Sequence, residues 1–197
     1  MEETAGEHLK RAILRNFPDY FAEYGGDPSK TCMAWGMQMN DGWLPIMWSA
    51  CLAVRCYYRN YEFNNKILQY EGFKKYAAKP GDTLRDLRKR YVEVNASKRK
   101  PPLEPFRFTL VKEKMGTLNV NYSPRGDAYI DGIMLMAEMQ SYTACEDCGA
   151  TMGVLRSTGG WVYTRCKDCA SKLTSTANDE SEWEPAVTDV KWGSYGG

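Results

Sequence analysis

Four of the seven cysteines fall into two Cys-x-x-Cys pairs, Cys145/Cys148 and Cys166/Cys169, with seventeen residues between them. A Cys-x-x-Cys turn brings two thiolates within reach of one ion. Two such turns supply the tetrahedral four-sulfur shell that zinc accepts at ~2.3 Å. The spacing matches the roughly 15–20 intervening residues of zinc ribbons. Gly149 follows the first pair, where a small residue permits a tight turn, and Ala170 follows the second. Gly159-Gly160 lies midway and suits the turn of a hairpin. Four thiolates close the shell to water, so the expected zinc is structural and not hydrolytic. Three other uses stay open: a redox-active pair, two disulfides, or an iron–sulfur cluster. Thioredoxin-like chemistry would need one pair heading a helix in a βαβ unit, and that context is missing.

The compartment bears on this choice. No apolar run approaches the ~18–20 residues that span a bilayer. The start, "MEETAGEHLKRAILRNF", is acidic and then amphipathic, without the basic, apolar and small-residue regions of a secretory signal. A cytoplasmic location is therefore expected, where thiols stay reduced and paired cysteines favour metal. Cys32, Cys51 and Cys56 lie in apolar surroundings and read as small buried hydrophobes. His8 is the single histidine, which removes the usual warrant for a catalytic or zinc-ligating imidazole elsewhere.

The 197 residues, 43% of them hydrophobic, suffice for one compact domain with a small appended module or for two small domains. Leu9, Ile13 and Phe17 have helical spacing before Pro18, and Ile46 to about Tyr61 reads as a buried helix. Pro80-Gly81-Asp82 is a turn, and Thr83 suits the cap of a short helix. Phe106, Phe108 and Leu110 alternate, as do Leu118, Val120 and Tyr122, with Met115-Gly116 between them as a hairpin turn. Residues 128–142 form a further helix, with Ile130, Ile133/Met134 and Ala137 on one face. The expected fold is α+β: N-terminal helices packed with a β-hairpin and helix, followed by a small zinc ribbon with four cysteine ligands. Its parts are an α+β domain over 1–142 with a basic insertion at about 62–105, the ribbon over 143–173, and an acidic flexible tail over 174–197.

A formal net charge of +1 conceals an uneven distribution. Residues 66–114 hold fourteen Lys/Arg against six Asp/Glu, a net +8, whereas 177–197 hold five acids and one Lys. Lys74, Lys75, Lys79, Arg88, Lys89 and Arg90 lie among Tyr70, Phe73, Tyr76 and Tyr91, and Lys98, Arg99 and Lys100 follow in an exposed linker. Cations can neutralise phosphate while aromatic rings stack on unpaired bases, so these nine residues are the candidate nucleic-acid surface. A solvated helix face is the plainer explanation of the same charges. Asp41, Glu113, Asp127 and Asp131 are the carboxylates a metal-dependent nuclease would draw on, but no spacing groups them on one ion. Glu113 reads as a surface charge paired with Lys112 or Lys114, and Asp127 as a helix cap. No enzymatic activity and no small-molecule substrate are expected.

The segments "TCMAWGMQMNDGWLPIMWSAC", "LVKEKMGTLNVNY", "YIDGIMLMAEMQSYTACEDCG" and "GGWVYTRCKDCA", in that order, resemble a family of small phage and prophage proteins. The resemblance covers most of residues 9–60 and 106–171. In that family the last metal position is often His; here it is Cys169, which implies a four-sulfur shell. The resemblance implies a phage origin and action in the host cytoplasm, but no activity. Two partners are consistent with these readings. One is nucleic acid, for an accessory or regulatory protein. The other is a host protein complex such as a polymerase, nuclease or defence machine, inhibited or redirected by an effector rich in aromatics, with Trp183 and Trp192 in its acidic tail.

Overall fold

In a computed structural model the protein is described over residues 4–75, 83, 85–86, 102–158, 160–172 and 183–186. The fold is α+β. Its described elements are α1 (Ala5–Asn16), α2 (Leu44–Lys75), a hairpin of β1 (Arg107–Lys114) and β2 (Thr117–Ser123), α3 (Ala128–Ser141), β3 (Val154–Ser157), β4 (Thr164–Cys166), the one-turn α4 (Lys167–Ala170), and β5 (Trp183–Pro185). Two antiparallel sheets result: β1–β2, and a three-stranded sheet in the order β4-β3-β5. No helix among the described residues is long and apolar enough to cross a membrane.

Residues 1–52 and 105–197 make one compact unit and residues 53–104 another. In the first, Thr4 and Glu7 cap α1 reciprocally, which satisfies two amides that a helix start would leave unpaired. Ile13 and Phe17 are buried, as their spacing predicts. They join Phe21, Met33, Trp43, Met47, Phe106 and Phe108 in the core. Aromatic edges knit this core: Phe21 and Phe106 each lie 4.9 Å from Phe108, and Tyr20 lies 5.0 Å from Phe106.

On β2 the expected alternation holds, with Leu118, Val120 and Tyr122 inward. On β1 it breaks after Phe108, and Val111 is buried where Leu110 was expected. The cause is a register shift between Phe108 and Leu110, since a bulge moves the later side chains to the other face. Helix α3 buries Ile130, Met134, Ala137 and Ser141. Its polar side chains also close the free edge of β2: Ser141 Oγ accepts the Leu118 amide at 2.8 Å, and a Glu138 carboxylate oxygen accepts that of Val120 at 2.9 Å. At both positions the strand's edge amides are already taken and are not offered to another chain.

Cys51 is buried as expected, but Cys32 and Cys56 are exposed. Cys32 opens a 3-10 turn whose inward residue is Met33. The buried stripe of α2 runs through Met47, Ala50/Cys51 and Val54, and Cys56 falls off it. In the second unit Tyr57 lies 6.0 Å from Tyr58 and 6.3 Å from Tyr61. Thr83 accepts the Asp86 amide at 3.3 Å, the capping contact its sequence suggested.

Candidate metal centre

The four sulfurs of Cys145, Cys148, Cys166 and Cys169 converge, each within 4.8 Å of every other. Cys148 Sγ and Cys166 Sγ are 3.7 Å apart, far beyond a sulfur–sulfur bond of ~2.05 Å. A tetrahedral ion with bonds of ~2.3 Å needs sulfur–sulfur edges of about 3.8 Å. The set therefore fits one metal ion with four thiolate ligands. Three of the cysteines are buried and Cys148 is exposed.

Each knuckle has its own local cause. In the first, the Gly149 amide donates to the Cys145 carbonyl at 2.9 Å, and the Cys145 amide donates to the Ala150 carbonyl at 2.8 Å. Gly149 sits at φ +75°, the left-handed conformation that closes such a turn and that favours glycine. In the second, Cys166 ends β4 and caps α4, whose single turn carries Cys169 back to the same point. The Glu146 amide donates to the Thr164 carbonyl at 2.8 Å and so ties the first knuckle to the strand of the second.

The centre rests on the N-terminal part of the same unit. The Gly42 amide donates to the Glu146 carbonyl at 2.9 Å, Trp43 Nε1 to the Ala144 carbonyl at 2.8 Å, and Asn40 Nδ2 to an Asp147 carboxylate oxygen at 2.8 Å. A side chain on Gly42 would come within 2.2 Å of the Cys145 carbonyl oxygen, so the turn lies directly under the knuckle. The β1–β2 turn supports it from another side. Met115 (φ +53°) and Gly116 (φ +69°) form a two-residue turn of the primed type. Its carbonyls accept from Arg156 at 2.9 and 3.2 Å, and Thr164 Oγ1 donates to the Gly116 carbonyl at 2.5 Å. Glu146, 2% exposed, receives the Arg165 guanidinium at 2.7 Å, and Asp147 receives it at 3.0 Å. Burial pushes the Glu146 carboxyl up, opposed by Arg165. Removing one partner of such a pair costs about 3–5 kcal/mol, because the other stays charged and buried.

The sequence indicated the four cysteines that converge but not the seat they rest on. Asn40, Gly42 and Trp43 read only as a turn, and no spacing rule connects them with cysteines some hundred positions later. Glu113 is corrected too: its carboxylate accepts the Gly116 amide at 2.7 Å, closing the hairpin turn. The other carboxylates are dispersed. Asp127 caps α3, Asp131 accepts the Tyr122 hydroxyl, and Asp41 lies over Gly6. Burial and that bond push the Tyr122 hydroxyl up to about 12. Among the described residues, the four cysteines are the one group of three or more His, Cys, Asp or Glu placed to share an ion. Of the candidate nucleic-acid surface, Lys74 and Lys75 end α2. Their side chains lie outside the described residues, as do Lys79, Arg88, Lys89, Arg90, Lys98, Arg99 and Lys100.

Without an ion, burial pushes the thiols of Cys145 and Cys169 up, while the Ala150 amide pulls Cys148 down. A metal ion reverses the balance, because only thiolates ligate. Bound thiolates titrate below their unfolded value. The stability that the ion contributes is thus present at high pH and lost as pH falls. We expect affinity to drop at least about a hundredfold from pH 7 to pH 6, measured by competition with a chromophoric chelator. Comparison of the chain with protein-family models, with the curated proteins and with the solved structures finds no match in any of the three.

Proposed function

We propose that the protein is a zinc-stabilised binding protein of phage origin, without catalytic activity, acting in the host cytoplasm on nucleic acid as an accessory or regulatory factor. Zinc is favoured for the centre because four convergent cysteine sulfurs, each within 4.8 Å of every other, suit its coordination and would close the shell. The ion then fastens a sheet too small to hold itself and leaves recognition to other surfaces. The observation that carries the nucleic-acid reading is the net +8 of residues 66–114, interleaved with aromatic rings. Reversing Arg88, Lys89 and Arg90 to Glu lowers affinity for single-stranded nucleic acid by at least about a hundredfold at low salt, measured by fluorescence anisotropy. Unaltered affinity refutes that surface.

One feature favours a host protein as the partner instead. Leu135, Met136 and Met139 form an exposed apolar stripe on α3, and a side chain on the neighbouring Gly132 would meet nothing within 4 Å. Apolar stripes of this kind on otherwise polar surfaces mark protein contacts. The two readings separate in a tagged pull-down from bacterial lysate with and without nuclease. A host protein retained at near-equal amount after nuclease, and lost with Leu135→Lys and Met139→Lys together, establishes the second reading. Co-purifying nucleic acid, lost with nuclease or added salt, establishes the first.

A further inference from the structure

The four converging cysteines are not equally sheltered. Cys145, Cys166 and Cys169 are buried, at 0%, 8% and 8% exposure, whereas Cys148 faces solvent. The Cys148 sulfur stands 3.7 Å from that of Cys166, which ends β4 in the other knuckle. A sulfur–sulfur bond is ~2.05 Å long, so less than ~2 Å of movement joins the two. An exposed thiolate with a second cysteine poised beside it is the arrangement on which oxidant-sensing cysteines rely. Cys32 and Cys56 are exposed as well, but they stand outside the converging set.

We propose that the centre is a redox switch thrown by a hydroperoxide, with Cys148 as its entry point and Cys166 as the resolving thiol. The inference rests on the reading of the centre as a zinc site. The Cys148 thiolate attacks one peroxide oxygen and the O–O bond breaks. The departing hydroxide takes a proton to become water, and Cys148 is left as the sulfenic acid. The Cys166 thiolate then attacks the Cys148 sulfur. The S–S bond forms, the S–O bond breaks, and a second hydroxide leaves as water with a second proton. Two electrons have passed from the two sulfurs to the peroxide. Cys145 and Cys169 remain as thiolates, too few to fill a four-coordinate shell, so the ion dissociates. The first knuckle bonds to Asn40, Gly42 and Trp43, and its loosening carries the event from an exposed sulfur to the core. A thiol reductant and zinc reverse it.

The test uses the full chain, zinc-loaded, with Cys32→Ser and Cys56→Ser to silence the other exposed thiols. Hydrogen peroxide is added, and released zinc is read with a chromophoric chelator. Zinc release is expected together with a disulfide that mass spectrometry maps to Cys148 and Cys166, and with a change in the near-ultraviolet dichroism of the buried Trp43. Reductant and zinc added together restore the starting state. Adding Cys148→His keeps a four-ligand shell of a known kind but removes the entry sulfur, so zinc should leave at least about tenfold more slowly. Release from that variant at the unsubstituted rate, a disulfide that omits Cys148 or Cys166, or zinc retained under peroxide overturns the switch. The disulfide map is made without Cys148→His and decides the matter even where that variant does not fold. A chain that holds no zinc before peroxide is added overturns the zinc reading and the switch with it, whereas one that holds zinc and keeps it overturns the switch alone.

Discussion

Cys145→Ser or Cys166→Ser abolishes stoichiometric metal binding, unfolds at least residues 143–172, and lowers Tm by at least about 10 °C. The magnitude follows from how little else holds this part together. Strands β3 and β4 have four and three residues, and α4 is one turn. Structural zinc in comparably small modules contributes apparent binding free energies of about 10–16 kcal/mol, most of it folding free energy. The loss spreads, because Trp43, Gly42 and Asn40 bond to residues 144–147, and Arg156 and Thr164 hold the Met115–Gly116 turn. Near-ultraviolet dichroism, which reports the fully buried Trp43, should therefore change together with the metal content. Retained metal with unchanged melting in either variant contradicts the site.

Gly42→Ala is the next largest effect, although it removes no ligand. Its added methyl would lie 2.2 Å from the Cys145 carbonyl oxygen, and 2.6 Å from both the Glu146 carbonyl oxygen and the Gly149 nitrogen. All three are backbone atoms of the metal knuckle, so no side chain can rotate away. Either the knuckle or the turn must move, and overpacking of this kind costs about 2–4 kcal/mol. In a chain of this size that is a fall in Tm of roughly 5–15 °C, with metal affinity reduced at least about tenfold. Gly132→Ala is the matched control. Gly132 lies within α3 with open space around it, and alanine there should stabilise by about 0.5–1 kcal/mol. Calorimetry on both variants, with a metal titration, checks the contrast. A neutral Gly42→Ala would mean that the turn does not seat the knuckle.

The convergence of the four cysteines was legible because local spacing alone encodes it: two thiols per turn, and a hairpin's length between the turns. The alternation of Leu118, Val120 and Tyr122, and the Asp127 cap of α3, were legible for the same reason. What lay hidden is mostly non-local. The bulge after Phe108 has no composition signal, and it exchanges Leu110 for Val111 in the core. Asn40, Gly42 and Trp43 acquire their role only when the chain folds back about a hundred residues. The pairing of Trp183–Pro185 with β3 was masked by the polar, acidic sequence around it, because a main-chain ladder asks little of composition. Glu113 looked like a surface charge because a strand pattern says which face a side chain takes, not that it bends over the turn to meet an amide.

The most direct measurement is X-ray absorption at the zinc edge on protein purified without added metal, together with elemental analysis. One zinc per chain is expected, bound by four sulfurs at ~2.3 Å with no nitrogen or oxygen in the shell. A shell containing light-atom ligands, or chains that stay folded with all four thiols free and well under one equivalent of metal, would contradict it.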